Sequence, residues 1–75
     1  MAILVGFRKT REDTEQVEYQ FGYPEMSRRL VIQKTTQQGQ PLDGDPDMAY
    51  TAVLTKIVRM QRAETIWPDH GSFAA

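Results

Sequence analysis

The chain has 75 residues, no cysteine and a formal net charge of -1 at pH 7. A domain this small buries only about 60% of the surface that its unfolded chain exposes, so its core is small. The lack of cysteine excludes disulfides and thiolate metal sites, and it favours a cytoplasmic protein over a secreted one. The charge gives no global attraction to nucleic acid or to acidic membranes.

The N-terminal stretch MAILVGFRKT is typical of a β-strand. A signal peptide needs a longer apolar core with positive charge in front of it, and this stretch has neither. No other stretch approaches the ~18 continuous apolar residues of a membrane helix. Alternation places Ile3, Val5 and Phe7 on one face and Leu4 on the other, as in a strand that is buried on one side.

Two further segments alternate in the same way. In QVEYQFGY, residues 16–23, the predicted buried row is Val17, Tyr19, Phe21 and Tyr23. In RRLVIQKT, residues 28–35, Leu30 and Ile32 are predicted to face the core. The connections TREDTE and PEMS are short and polar, which favours antiparallel neighbours in a meander.

Residues 36–47, TQQGQPLDGDPD, have no period and are predicted to form a loop. The period then becomes helical in MAYTAVLTKIVRMQRAE, residues 48–64. The apolar stripe of this helix consists of Ala49, Tyr50, Val53, Leu54, Ile57 and Met60. The helix must end before Pro68, because a residue that precedes proline avoids helical backbone angles. Trp67 is expected to fold back against the core.

These elements predict an α+β fold, in which a three-stranded antiparallel meander packs on one C-terminal α-helix (βββα). Residues 1–66 are predicted to form a single domain. Residues 67–75 are predicted to form a C-terminal tail that is partly ordered through Trp67.

Three aspartates precede the helix at alternate positions: Asp43, Asp45 and Asp47. The same spacing begins an EF-hand calcium loop, which also needs glycine at position 6 and glutamate at position 12. The chain has Met48 and Leu54 at those positions. A helix start explains the stretch better, with Asp45 as N-cap, Pro46 as first helical residue and Asp47 in the first turn. We predict no cofactor and no dedicated metal site, and weak cation binding by the three carboxylates stays open.

His70 is the only histidine, and it is predicted to lie in an exposed turn. Glu12, Asp13 and Glu15 are the other candidates for acid-base chemistry, and they are typical of a solvated hairpin loop. The sequence contains no glycine-rich phosphate loop, no HExxH and no GxSxG motif. One helix on three strands encloses little volume. We therefore predict that the chain is not an enzyme.

The predicted function is a protein-interaction or homodimerisation module. An open sheet edge invites strand addition, and a small domain gains stability when a partner covers apolar surface. The alternative is a nucleic-acid-binding accessory domain that uses a local basic patch on the sheet. Cross-strand charge pairs are a third explanation for the same basic residues. The candidate interaction surface comprises Arg28, Arg29, Val31, Lys34, Trp67 and Phe73.

Three short runs, EYQFG, RRLVI and WPDHG, resemble a class of short actinobacterial proteins that share this order of strands, helix and Trp-Pro ending. The resemblance spans residues 17–71, and its motifs are mostly fold-forming. It implies the same strand meander with one helix. It implies no activity and no site residues.

Overall fold

The computed structural model describes residues 4–23, 25–42, 44 and 47–74, except for the side chains of Phe73 and Ala74. The strands are β1 (Leu4–Glu12), β2 (Gln16–Gly22), β3 (Arg28–Gln33), β4 (Gly39–Pro41) and β5 (His70–Ala74), and the helix is α1 (Met48–Glu64). They form one antiparallel sheet in the order β4-β3-β2-β1-β5. The predicted α+β class is confirmed. The three-strand βββα detail is wrong, because β4 and β5 extend the meander at its two edges.

Helix α1 covers one face of the sheet and closes the core there. The core contains Val5, Phe7, Val17, Tyr19, Phe21, Leu30, Ile32, Tyr50, Val53, Ile57 and Trp67. Most of the buried rows follow the predicted alternation and helical stripe, since side chains on one face of a strand recur every second residue. Ile3, which was assigned to the same row as Val5, lies outside the described residues. We call the uncovered side of the sheet the open face.

Tyr23 departs from this pattern. The sequence predicts that it continues the buried row of β2, but 61% of its surface is exposed. Strand β2 ends at Gly22, whose φ of 146° is accessible to glycine and rarely to other residues. The chain therefore turns before Tyr23, and the alternation stops. Trp67, by contrast, is buried as predicted.

The edge strands β4 and β5 lie in segments that were predicted to be a loop and a tail. Strand β4 is three residues long and contains glycine and proline, which are depleted in strands. Strand β5 has the sequence HGSFA and pairs with β1, so that Arg8 is opposite His70 and Gly6 is opposite Ser72. No helix among the described residues is long and apolar enough to cross a membrane.

The helix begins two residues later than a cap at Asp45 would require. The N-cap is Asp47, which has an extended backbone and accepts a hydrogen bond from the Tyr50 backbone N–H at 2.9 Å. The assignment of the cap to Asp45 is therefore wrong, and both Asp45 and Pro46 lie outside the described residues. An N-cap side chain accepts a hydrogen bond from the backbone N–H of the second or third helical residue. Asp47 does so with Tyr50, the third residue of α1.

Replacement of the cap gives a first testable prediction. Asp47→Ala should lower the melting temperature by roughly 4–8 °C, because an N-cap loss of typical size shifts a domain of this length by about that much. Asp47→Ser should lower it less, since serine also caps helices. Calorimetry measures both changes, and equal melting temperatures for the wild type and Asp47→Ala would contradict the assignment of the cap.

The pH dependence should distinguish the two variants further. The Arg28 guanidinium and the Tyr50 backbone N–H lower the pKa of Asp47 below its usual value. The carboxylate therefore contributes stability above the unfolded-state pKa of about 3.9, and this contribution disappears as the pH falls through the lower folded-state pKa. Asp47→Ser should lack this part of the acid sensitivity.

Candidate functional site

The residues of the predicted interaction surface do not form one patch. Arg29 and Val31 lie on the open face, since they alternate with the buried Leu30 and Ile32. Trp67 is buried in the core. The backbone of Phe73 pairs with Val5, and its side chain lies outside the described part of the chain. Arg28 and Lys34 bind acidic residues away from the open face.

Arg28 joins the sheet to the start of the helix. Its Nη1 lies 2.7 Å from Oδ2 of Asp47, and its guanidinium carbon lies 4.8 Å from the centre of the Phe21 ring. The ion pair and the cation–π contact hold the side chain on the helix-covered side. The sequence indicates this side, because Arg28 is two residues before the buried Leu30 and therefore lies on the same face of β3. Arg28 is therefore engaged in the fold and does not extend a basic patch with Arg29.

The backbone of β5 leaves hydrogen-bonding groups on the outer edge of the sheet. Within the described ranges, β5 has a neighbour on one side, β1. The Lys9 backbone N–H donates to the Asp69 carbonyl at 2.7 Å. Because the bonding direction alternates along an antiparallel strand, Gly71 directs its backbone groups toward β1, whereas His70 and Ser72 direct theirs outward. This edge can accept another strand.

The opposite edge of the sheet is less suited to strand addition. Strand β4 is only three residues long, and its last residue is Pro41, which has no backbone N–H. Short edge strands and proline are two of the means by which proteins discourage strand addition. In β5, neither proline nor lysine is present. The two edges therefore differ, and β5 is the unprotected one.

The open face carries a row of basic side chains that ends at β5. The register places His70, Arg8, Gln20 and Arg29 side by side on four neighbouring strands. His70, Arg8 and Arg29 are exposed. The Gln20 amide oxygen, in the orientation that satisfies hydrogen bonding, accepts from Nη2 of Arg8 at 2.9 Å. His70 was not predicted in this row, because β5 itself was not predicted.

A cluster of four charged side chains lies on the helix-covered side, near the turn between β1 and β2. Nζ of Lys9 is 2.7 Å from Oε1 of Glu12 and 3.0 Å from Oδ1 of Asp69. Nζ of Lys34 is 2.7 Å from Oε2 of the same glutamate. Glu12 therefore bridges two lysines, whereas the exposed Asp13 accepts hydrogen bonds from the Glu15 and Gln16 backbone N–H groups.

A β-bulge produces this convergence. The register shifts between Lys9 and Arg11, so Lys9 faces Tyr19 and Glu12 faces Val17, both in the core row. In a regular strand, residues three positions apart lie on opposite faces. The extra residue, Thr10, turns Glu12 to the same face as Lys9. Simple alternation along the sequence contains no sign of this shift.

The charges in this cluster stabilise one another. The lysine partners, first Lys34 and then Lys9, lower the pKa of Glu12. Hydrogen bonds to Glu12 and Asp69 raise the pKa of Lys9. Below the cluster, the Tyr19 hydroxyl donates to the Pro68 carbonyl at 2.5 Å, and burial raises the pKa of that hydroxyl. The shifts of Glu12 and Lys9 both favour the charged forms of these two groups.

No group of three or more metal-binding side chains occurs within the described ranges. The cation hypothesis for Asp43, Asp45 and Asp47 concerns two residues, Asp43 and Asp45, that lie outside those ranges. Comparison of the chain with protein-family models, with curated protein sequences and with solved structures finds no match. The resemblance to short actinobacterial proteins therefore stays a prediction.

Proposed function

We propose that the protein is a non-catalytic, cytoplasmic interaction module that forms a homodimer by pairing β5 with β5 of a second copy. The unprotected backbone edge of β5 is the observation that carries this proposal. A cytoplasmic setting accords with the absence of cysteine.

The alternation of β5 suggests a specific register for the dimer. His70 and Ser72 direct backbone groups outward, so a two-fold axis through Ser72 pairs this residue with its own copy. In that register, residue 70 is opposite residue 74 of the second chain. The three pairs exchange about six main-chain hydrogen bonds, because each hydrogen-bonded antiparallel pair exchanges two. Both helices then lie on the same side of a continuous sheet.

The lack of charged side chains at the centre of β5 supports a second copy of the chain as its partner. A homodimer places each residue opposite one fixed position of the same sequence, so like charges at the centre would destabilise it. The centre of β5 is Gly71 and Ser72, which are uncharged. His70 is the one residue of β5 with a titratable side chain, and it falls opposite residue 74. The small core of a 75-residue domain also benefits from a larger shared sheet.

A proline at the two-fold axis tests the proposal. Ser72→Pro removes the outward N–H but leaves the bonds between Gly71 and β1, so it should weaken the dimer and preserve the fold. We expect sedimentation equilibrium to give twice the chain mass of 8.6 kDa for the wild type and 8.6 kDa for Ser72→Pro. A wild-type protein that stays monomeric at millimolar concentration would contradict the proposal.

Introducing a positive or a negative charge at Ser72 tests the register of the dimer. Ser72→Lys and Ser72→Glu should each dimerise more weakly than the wild type, because identical charges then face each other across the axis. Mixing the two variants should restore a dimer that contains one chain of each. Thr55→Lys, on the exposed side of α1, adds the same charge away from β5 and should dimerise normally. Failure of the mixture to associate would exclude this register.

The basic row of the open face favours one alternative, in which the sheet binds single-stranded nucleic acid. Arg8, Arg29 and His70 are exposed and lie side by side in the register of the sheet. Glu18 on the same face opposes this function. Affinity for a single-stranded oligonucleotide should then fall steeply with salt, whereas a β5 dimer held by main-chain bonds should change little.

A further inference from the structure

A depression of about 500 Å³ lies beside the charged cluster. Its polar side is formed by two lysines and the two carboxylates that pair with them, Lys9, Glu12, Lys34 and Asp69, and its apolar side by Ile66 and Trp67. Its position on the helix-covered side separates it from the open face. The depression therefore combines two ammonium groups, each paired with a carboxylate, with an apolar wall.

The two lysines are positioned to bind one two-oxygen anion. Each carboxylate oxygen of Glu12 lies 2.7 Å from one lysine Nζ. The lysine side chains are 21% and 22% exposed, whereas the carboxylate side chain is 34% exposed. The donors are therefore held more deeply than the acceptor. Glu12 occupies a place that another carboxylate or a phosphate can take with the same two hydrogen bonds.

The displacement of Glu12 requires little free energy. Glu12 makes two ion pairs and its side chain is 34% exposed, and an ion pair this open to water contributes up to about 1 kcal/mol. Glu12 is the last residue of β1 and adjoins the exposed turn, so its side chain can move into water. Lys9 keeps its contact with Asp69 when this happens.

The apolar wall selects among anions. Ile66 is 62% exposed, and Trp67 contributes to the same depression. A bare inorganic ion leaves this apolar surface in water, whereas an organic anion covers it. Covering apolar surface contributes about 25 cal/mol per Å². The combination favours an anionic head on an apolar body.

The left-handed backbone of Thr65 is a second unusual feature beside the depression. Thr65 ends α1 with φ of 62° and lies among the lining residues. This conformation is unfavourable for a β-branched residue, and glycine is the usual choice at such a position. Strained residues of this kind are often found at binding sites.

We propose that this depression binds a small organic anion, an apolar carboxylate or phosphate monoester, whose oxygens replace Glu12 on Lys9 and Lys34. Glu12 is then a built-in competitor for the ligand. The site is independent of the proposed dimer, because it uses neither the outer backbone edge of β5 nor the open face.

Titration with phenylacetate and phenyl phosphate, followed by NMR of the labelled protein, tests the proposal. Saturable shifts are expected at the Trp67 indole N–H and at the backbone amides of Lys9, Glu12 and Lys34. Acetate and inorganic phosphate should bind at least tenfold more weakly, because they lack the apolar body. The stronger of the two aromatic probes identifies the preferred head group.

Two variants with the same net charge distinguish binding at this site from a general effect of the protein's charge. Glu12→Gln removes the competitor and should tighten binding of the aromatic probes several-fold. Glu15→Gln removes the same charge from the adjoining turn, and it should leave the affinity unchanged. Lys34→Met should weaken binding at least tenfold, with its spectrum used to check that the fold is retained. Equal affinities for the two glutamine variants, or shifts that do not saturate, would overturn the proposal.

Discussion

Gly71→Ala should destabilise the protein by roughly 1–3 kcal/mol, the usual range for adding atoms to a packed core. A Cβ on Gly71 would lie 2.5 Å from Cζ of Phe7, and two more atoms of the same ring lie within 3.2 Å. The ring has little freedom to move, since it is buried and packs edge-on against Tyr19 with ring centres 5.9 Å apart. We expect β5 to separate partly from β1, and urea unfolding measures the loss.

Gly6→Ala provides a matched control for this substitution. Gly6 also lies in the β1–β5 pair, opposite Ser72, but the nearest atom to its added Cβ lies at 3.7 Å. This variant should be neutral or slightly more stable, because alanine reduces the freedom of the unfolded chain. Equal destabilisation by the two substitutions would show that loss of glycine, rather than the contact with Phe7, is responsible.

A double variant assigns the effect to the ring. Phe7→Leu makes room above β5, so Gly71→Ala should cost less in that background than in the wild type. Residues in direct contact usually deviate from additivity by 0.5 kcal/mol or more. If β5 separates, the dimer proposed for its outer edge should weaken in parallel, which links the packing of Phe7 to the oligomeric state.

The middle of the fold could be predicted from the sequence because its signals are periodic. Helix α1 spans residues 48–64, the range over which the helical period is visible, although its cap was predicted two residues too early. Val17, Tyr19 and Phe21 face the helix because burial of one sheet face requires a period of two. In these segments, the local pattern and the tertiary contacts favour the same conformation.

The edges of the sheet could not be predicted, because tertiary contacts determine them. Strand β5 contains glycine and serine and has little strand propensity of its own. It forms because β1 offers an unpaired edge, and because Gly71 allows the Phe7 ring to lie close to its backbone. Strand β4 is equally dependent on β3. Backbone hydrogen bonding to an existing strand edge does not require a periodic pattern of side chains, so the sequence does not reveal it.

Only part of the candidate sites could be predicted from the sequence. Arg28 and Lys34 have the same parity as Leu30 and Ile32, so alternation alone separates them from Arg29. The bulge at Thr10, however, has no sequence mark, and without it Glu12 would not meet Lys9. Open-edge strands and ion clusters both depend on register, and register becomes known only from the structure.

Ile57→Ala should cause the largest loss of stability among the changes considered, about 2–5 kcal/mol. Ile57 is fully buried at the centre of the helix-covered core. The substitution removes apolar contacts and leaves a cavity, and the higher helix propensity of alanine returns only a few tenths of a kcal/mol. A 75-residue domain has a total stability of about 4–11 kcal/mol. The loss is therefore a large fraction of the total stability, and urea unfolding measures it.

Ile66→Ala removes the same atoms from a side chain that is 62% exposed, and it should cost less than about 1 kcal/mol. Ile57→Val should lie between the two, at about 0.5–1.5 kcal/mol. This order follows if burial against the sheet, rather than helix propensity, holds α1 in place. Similar losses for Ile57→Ala and Ile66→Ala would mean that burial of the Ile57 side chain contributes little to the packing of α1 on the sheet.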